Sequence, residues 1–332
     1  MVTLRDIAHM AGCSVGTVSR ALKQQAGLTE QTRQQVMAVA ERLGYDTTRL
    51  RHRKVNRLAF LLHRQHSSLA QNPFFSPVLS GVEAACREAG IVPSVLTLDP
   101  GEPIRERLQL HDPDVLLCAG YIEPEVLATL QTTGKPLVLV DAWARDLPSI
   151  NADHYDGARQ AVSHLLQTGC RRVAMLAGSL AHYSIRERVR GYRKALFDAR
   201  VLADPDLEIV LEPSANPAES AMVAMQQLMS RPDRPDAIFA YNDTTALACL
   251  HACQLARLRV PEDVSVVGFD DILQASHASP ALTTLRVDKE KLGRAGVSWL
   301  LSGQADVEHR ILPVELVCRS STRSVASPVV GG

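Results

Sequence analysis

The side chains able to do chemistry fall into two groups in this 332-residue chain. The first is the run Ser14-Val15-Gly16-Thr17-Val18-Ser19-Arg20. Its hydroxyls and guanidinium can hold phosphate oxygens or a guanine edge, and its small residues let a backbone approach base edges. The second group is scattered. His63, Asp141, Asn242-Asp243 and Asp270-Asp271 each close an apolar run, and Arg188 lies early in an amphipathic one. A carboxylate accepts from hydroxyls, a guanidinium donates in a fork and an amide does both, which is the chemistry of polyol recognition. Catalysis is poorly provided for. No nucleophile stands beside a base, no G-x-G-x-x-G follows an apolar strand and no G-x-x-x-x-G-K-[ST] occurs. A doubly wound dehydrogenase or kinase is therefore disfavoured. Cys13, Cys86, Cys118, Cys170, Cys249, Cys253 and Cys318 are odd in number and make no Cys/His cluster of zinc-like spacing. They are expected to be reduced core thiols of a cytoplasmic protein, with no metal and no cofactor.

The first group is held by two short helices. Thr3 caps the first, with Asp6 three residues on as a capping box, and Ile7 and Met10 are expected to share its apolar face. Gly12 breaks it, and Ser14 caps a second helix whose Val18 and Leu22 face inward. A third runs from Thr29 to Gly44, with Val36, Val39, Ala40 and Leu43 at helical spacing. Two helices across a glycine-containing turn form the helix-turn-helix, whose second member enters the major groove. Charge agrees. Residues 1–57 hold ten Lys/Arg against four acids, a net +6 hidden in a total of zero. A basic head on a mildly acidic body suits a DNA reader with a second function. No signal peptide and no membrane span are expected.

The second group sits on alternating strands and helices. Apolar runs at 58–63, 93–98, 114–120, 136–141, 172–178, 207–211, 237–242, 264–270 and 312–317 read as strands. Helical patterns lie between, at Pro77–Ala89, Ala158–Gln167, Ile185–Ala199 and Thr244–Leu258. Such alternation means parallel sheets covered on both faces, in two lobes, with ligands at the carboxyl ends of the strands. Asp243 and Asp271 are expected to cap the helices that follow them.

TLRDIAHMAGCSVGTVSRAL closely resembles the N-terminal signature of the lactose/galactose-repressor (LacI/GalR) family of bacterial transcription regulators. Blocks such as RGYRKAL, YNDTTALACL, VPEDVSVVGFDD, PALTTLRVD and CRSST match the family in order, so the likeness covers nearly the whole chain. It implies an all-α helix-turn-helix head on an α/β two-lobed periplasmic-binding-protein-like core of two doubly wound parallel sheets. The expected divisions are a head at 1–45, a basic hinge at 46–57 and an effector-binding and dimerisation domain at 58–332. Lobe one would span about 58–148 and 286–318, and lobe two about 149–285 and 319–326. The DNA contacts would be Thr3, Ser14, Val15, Gly16, Thr17, Ser19 and Arg20, with Tyr45, Arg49, Leu50 and Arg51 of the hinge. Asp46-Thr47-Thr48 departs from the family's usual proline-asparagine pair, so Leu50 lies out of the familiar minor-groove register. By motif position Arg188, Asn242 and Asp270 match the family's effector contacts, and Phe75 matches an aromatic contact. Asp141 and His63 join them as cleft candidates, with Trp143 and Asn216 weaker, while Val287 stands where relatives carry a polar group.

The expected function is a homodimeric repressor on double-stranded, palindromic operator DNA. It would be released by a sugar, sugar acid or sugar phosphate, with no membrane partner. A ligand-activated co-repressor type is the alternative, and a solute-binding protein is disfavoured by the basic head. The tail after Arg323 lacks heptads, so no coiled-coil tetramer is expected.

Overall fold

The computed structural model describes residues 2–22, 27–45, 55–64, 73–98, 101, 103–212, 217–303 and 306–324. The chain divides into two compact units, Met1–Asn56 with Leu301–Gln304, and Arg57–Leu300 with Ala305–Gly332. In the first, α1 (Leu4–Ala11), α2 (Val15–Leu22) and α3 (Glu30–Arg42) close on a small core of Ile7, Val18, Ala21, Val36 and Ala40. Each helix start carries its own side-chain acceptor. Asp6 N donates to Thr3 Oγ1 at 3.4 Å and Thr3 N returns the bond to Asp6 Oδ2 at 2.7 Å, completing the capping box. Thr17 N donates to Ser14 Oγ at 3.0 Å, and Thr32 N to Thr29 Oγ1 at 3.3 Å. Gly12, at φ 63°, ends α1 in the left-handed region. Met10 does not share the inner face with Ile7. It is 47% exposed, and Ala8 and Ala11 take that face instead.

The second unit contains β1 (Arg57–His63), α4 (Phe75–Ala89), β2 (Val92–Leu98), α5 (Ile104–His111), β3 (Val115–Ala119), α6 (Pro124–Gln131), β4 (Leu137–Val140) and β5 (Ser149–Ala152). There follow α7 (His154–Gln167), β6 (Val173–Ala177), α8 (Tyr183–Asp198), β7 (Glu208–Val210), α9 (Pro217–Met229), β8 (Ala237–Ala240), α10 (Asp243–Leu255) and β9 (Ser265–Val267). The chain closes with α11 (Leu273–His277), β10 (Thr284–Arg286), α12 (Lys289–Ser302), β11 (His309–Leu312) and β12 (Glu315–Val317). Lobe one is a parallel sheet in the order β11-β5-β4-β3-β1-β2, and lobe two a parallel sheet β7-β6-β8-β9. Strands such as VLLCA and AIFA are buried along their whole length, as strands covered by helices on both faces must be. The antiparallel pair β10-β12 forms a separate ribbon.

Three expectations change. The late run at 312–317 holds the last residue of β11, a first-sheet strand that begins at His309, and β12 of the ribbon. β5 and β10 were not foreseen. β5 belongs to the first sheet, so Ser149–Ala152 lies in lobe one and not in lobe two. Its sequence, SINA, shows no apolar run because Ser149 and Asn151 are buried polar residues with internal partners. Ser149 Oγ is 2.9 Å from His309 Nδ1, and Asn151 Nδ2 donates to Ala142 O at 3.0 Å. Finally, Cys318 is exposed, so it is not a core thiol. Among the described residues, no helix is long and apolar enough to cross a membrane.

Candidate functional site

On the head, α2 turns its inner face to the core through Val18, Ala21 and Leu22. Ser14, Val15, Gly16 and Arg20 are left exposed, with Thr17 and Ser19 half-buried. Val15 keeps 41% of its surface in solvent. A Cβ built on Gly16 meets only Ser14 Oγ, at 3.7 Å, so packing does not demand glycine there. Thr3 is exposed, but its hydroxyl is engaged by Asp6 at 2.8 Å. Tyr45 packs its ring against the head core. Arg49, Leu50 and Arg51, like Asn216 and the tail from residue 325, lie outside the described residues.

In the core, the carboxyl ends of β1, β3, β4, β6, β8 and β9 bring one polar cluster together. Asp141, just past β4 of lobe one, places Oδ1 2.9 Å from Nε2 of His154, the first residue of α7 in lobe two. His154 Nδ1 accepts from Arg188 Nε at 3.4 Å, which assigns the ring proton to Nε2, toward Asp141. Arg188, in the second turn of α8, reaches Asp270 Oδ1 at 3.3 Å and lies over the Phe269 ring, with Cζ 3.8 Å from its centroid. A line of close polar contacts, Asp141–His154–Arg188–Asp270, therefore crosses from one lobe to the other. Two ring pairs cross beside it. Tyr121 meets His182 at 5.1 Å, and Trp143 stacks on Tyr183 at 6.2 Å.

The charges follow from that geometry. Burial alone would raise the Asp141 carboxyl, but His154 and Arg188 outweigh it and hold its pKa below the usual range. Burial, with Arg188 beside it, pushes His154 down, so the ring is neutral near pH 7. Burial likewise lowers His182. Burial raises Asp270 to about 6, against the pull of Arg188 and Lys289. Asp141, Asp270 and Asp271 all sit at positive φ (56°, 115° and 51°), a conformation uncommon outside glycine and concentrated at functional sites.

Other candidates land differently. His63 is buried and pairs with Glu123, Nε2 to Oε1 at 2.7 Å. Phe75 is 5% exposed and its ring covers Gly120, where a Cβ would come within 2.6 Å of Cζ; it is a packing residue and not an open sugar platform. Asn242 caps α10, its Oδ1 accepting from Thr245 N at 2.9 Å, which leaves its amide NH2 and one oxygen lone pair for a ligand. The capping roles expected of Asp243 and Asp271 are thereby corrected. Asp243 is fully buried and accepts from Ile272 N at 2.8 Å and from the Thr284 hydroxyl. Asp271 pairs with Arg319 at 2.6 Å and Arg286 at 2.7 Å. Val287 is buried. Glu123, His154, His182, Tyr183 and Lys289 were missed. Glu123, His182 and Tyr183 lie within six residues of the ends of β3 and β6, so the carboxyl-end rule carried further along those loops would have found them. His154 follows β5, which the sequence did not reveal. Lys289, which opens α12, follows β10, a strand the sequence likewise did not reveal.

Comparison with known proteins places the two units in a family. Residues 3–48 match the model described as "Bacterial regulatory proteins, lacI family", and residues 162–322 match that of a periplasmic binding protein-like domain. The chain is 30% identical over 350 residues to the HTH-type transcriptional repressor PurR of Photobacterium profundum, covering 98% of this chain and 100% of that protein. It is 31% identical over 342 residues to PurR of Aliivibrio fischeri, covering 98% and 99%. Among solved structures, the transcriptional regulator CelR–cellobiose complex superposes with a TM-score of 0.75 at 29% identity over 97% of this chain and 100% of that one. The lac repressor dimer bound to operator and the anti-inducer ONPF gives 0.71 at 28%, over 97% and 99%. The chain is thus a DNA-binding regulator and not an enzyme, and it belongs to the lacI family of bacterial regulatory proteins.

Proposed function

We propose that the chain is a cytoplasmic homodimeric repressor that reads a roughly palindromic operator and is released by a carbohydrate-type effector held between its lobes. The observation that carries this is the Asp141–His154–Arg188–Asp270 line of contacts, which joins the carboxyl ends of both sheets through groups suited to hydroxyls. Cellobiose in the CelR complex, a neighbour over nearly the whole chain, supports the ligand class. Val15, Gly16 and Thr17 would face bases, with Ser14, Ser19 and Arg20 on phosphates or an edge guanine. Two heads then require half-sites about one helical turn apart. Effector leverage equals its difference in affinity between the two lobe arrangements, and no more. A gel-shift against the DNA upstream of the chain's own gene, at two salt concentrations, tests the DNA half. A salt-sensitive shift with a palindromic footprint, reversed by a sugar, is the expected result. A shift that is absent or indifferent to salt sinks it.

A further inference from the structure

Charge is unevenly available at the carboxyl ends of the two sheets. Among the described residues, two cations are buried there, Arg188 and Lys289 at 4% and 9% exposure, and both are committed. Arg188 donates from Nε and Nη2 to His154 Nδ1, from Nη1 to Tyr241 O, and from Nη2 to Asp270 Oδ1, with its face on Phe269. Lys289 Nζ donates to the backbone oxygens of Asp270, Val287 and Asp271. Acceptors, by contrast, are left over. Glu123 Oε2 is buried with no hydrogen bond, the other oxygen being held by His63. Asp141 Oδ1 and the His154 Nε2–H face each other at 2.9 Å without a well-aligned hydrogen bond, so neither is fully satisfied.

From this imbalance we propose that the cleft takes an uncharged polyhydroxy ligand, a neutral sugar, and turns away sugar acids and sugar phosphates. This rests on the carbohydrate-type effector proposed above. An anion entering here must lose its water beside Asp141 and Glu123 with, among the described residues, no buried guanidinium or ammonium left uncommitted to replace it, which buried charge does not tolerate. Hydroxyl groups have the opposite effect. Each O–H supplies a donor to an acceptor that otherwise stays buried and unsatisfied. The Trp143–Tyr183 stack, whose planes lie 19° apart, offers flat rings at the same lobe junction against which the C–H face of a sugar can lie.

The test uses the full chain and its own fluorescence. There are two tryptophans, Trp143 at 43% exposure and Trp299 at 7%, so a ligand in the cleft changes the Trp143 signal and the change vanishes in Trp143→Phe. The panel is glucose, galactose, ribose, maltose and cellobiose, with glucuronate, galacturonate, glucose phosphate and ribose phosphate, and with adenine and hypoxanthine. The expected result is saturable, Trp143-dependent binding of at least one neutral sugar, its acid or phosphate being weaker by about tenfold or more. In Asp141→Asn or Glu123→Gln the neutral sugar weakens while the acid's relative affinity rises; a merely structural role would weaken both alike. An acid or phosphate that binds as tightly as its neutral parent overturns the proposal and leaves the cleft assignment standing, as does a panel without a neutral binder. A nucleobase binding in their place, or a binder that ignores Trp143, overturns the carbohydrate or the cleft reading itself.

Discussion

At the scale of single residues, Asn242 and Asp243 show how far side-chain type alone can be read. Both follow β8 closely, and either can cap a helix, but the backbone turn puts Asn242 at the cap and sends Asp243 into the core. There burial, with Asp270 nearby, pushes the Asp243 carboxyl up to about 8, from 3.8 in an unfolded chain. The folded state therefore binds the extra proton between those values. The stability this group contributes is complete below pH 3.8 and is lost as pH rises through about 8. Asp243→Asn is expected to flatten that part of a melting-temperature profile measured against pH. On the head, Arg20 is exposed and serves no core contact. Arg20→Ala is expected to lower operator affinity at least about tenfold in a gel-shift, with effector binding unchanged. Gly16→Ala separates reading from folding. The site has room for a methyl group, so helix propensity favours the variant by roughly 0.5–1 kcal/mol in chemical denaturation. Operator affinity should nonetheless shift, and an unchanged affinity across operator variants would remove Gly16 from the DNA face.

Elements were most legible where local chemistry and burial agree. The capping box at Thr3, the left-handed glycine at position 12 and the caps at Ser14 and Thr29 are local features, and all four are present. Thr3→Ala is expected to cost about 1 kcal/mol of head stability, visible as earlier thermal loss of its helical signal. Helix against helix was not legible. α7 and α8 approach so closely that a Cβ on Gly191 would fall 2.1 Å from Tyr155 O. α4 and α12 do the same through Gly293 and Val78 O, again at 2.1 Å. Gly191→Val must therefore move backbone, and a loss of about 3 kcal/mol or more is expected on unfolding, as for other overpacked sites. β5 escaped notice for a related reason. Its buried Ser149 and Asn151 are satisfied by partners at 142 and 309, distant in sequence or across a turn.

For the whole molecule, the effector-released repressor proposed above requires reciprocal coupling. Whatever free energy the effector gains by favouring one lobe arrangement is the free energy by which it changes DNA affinity. Asp270→Ala is expected to hold operator as the parent does but to need at least about tenfold more effector for release, read by titrating effector into a preformed complex. Asp270→Asn, which keeps the shape, serves if the alanine variant does not fold. Release at the parent's effector concentration would remove Asp270 from the cleft. The same carboxyl, raised to about 6, is an ionised acceptor above that pH and protonated below it. Sugar binding through it should therefore weaken as pH falls from 7 to 5.

By itself the sequence determined the class of the molecule. Capping and apolar spacing over residues 3–44, alternation from residue 58 onward and the basic excess of residues 1–57 are properties of neighbouring residues, and neighbours lie close in any fold. Tertiary structure alone decided which side chains are already engaged. Arg188 is held by His154 and Asp270, 34 and 82 positions away. His63 is held by Glu123, and Phe75 is packed over Gly120. A side chain's availability to a ligand depends on what else reaches it. Where that partner comes from another strand end or the other lobe, no local pattern records it.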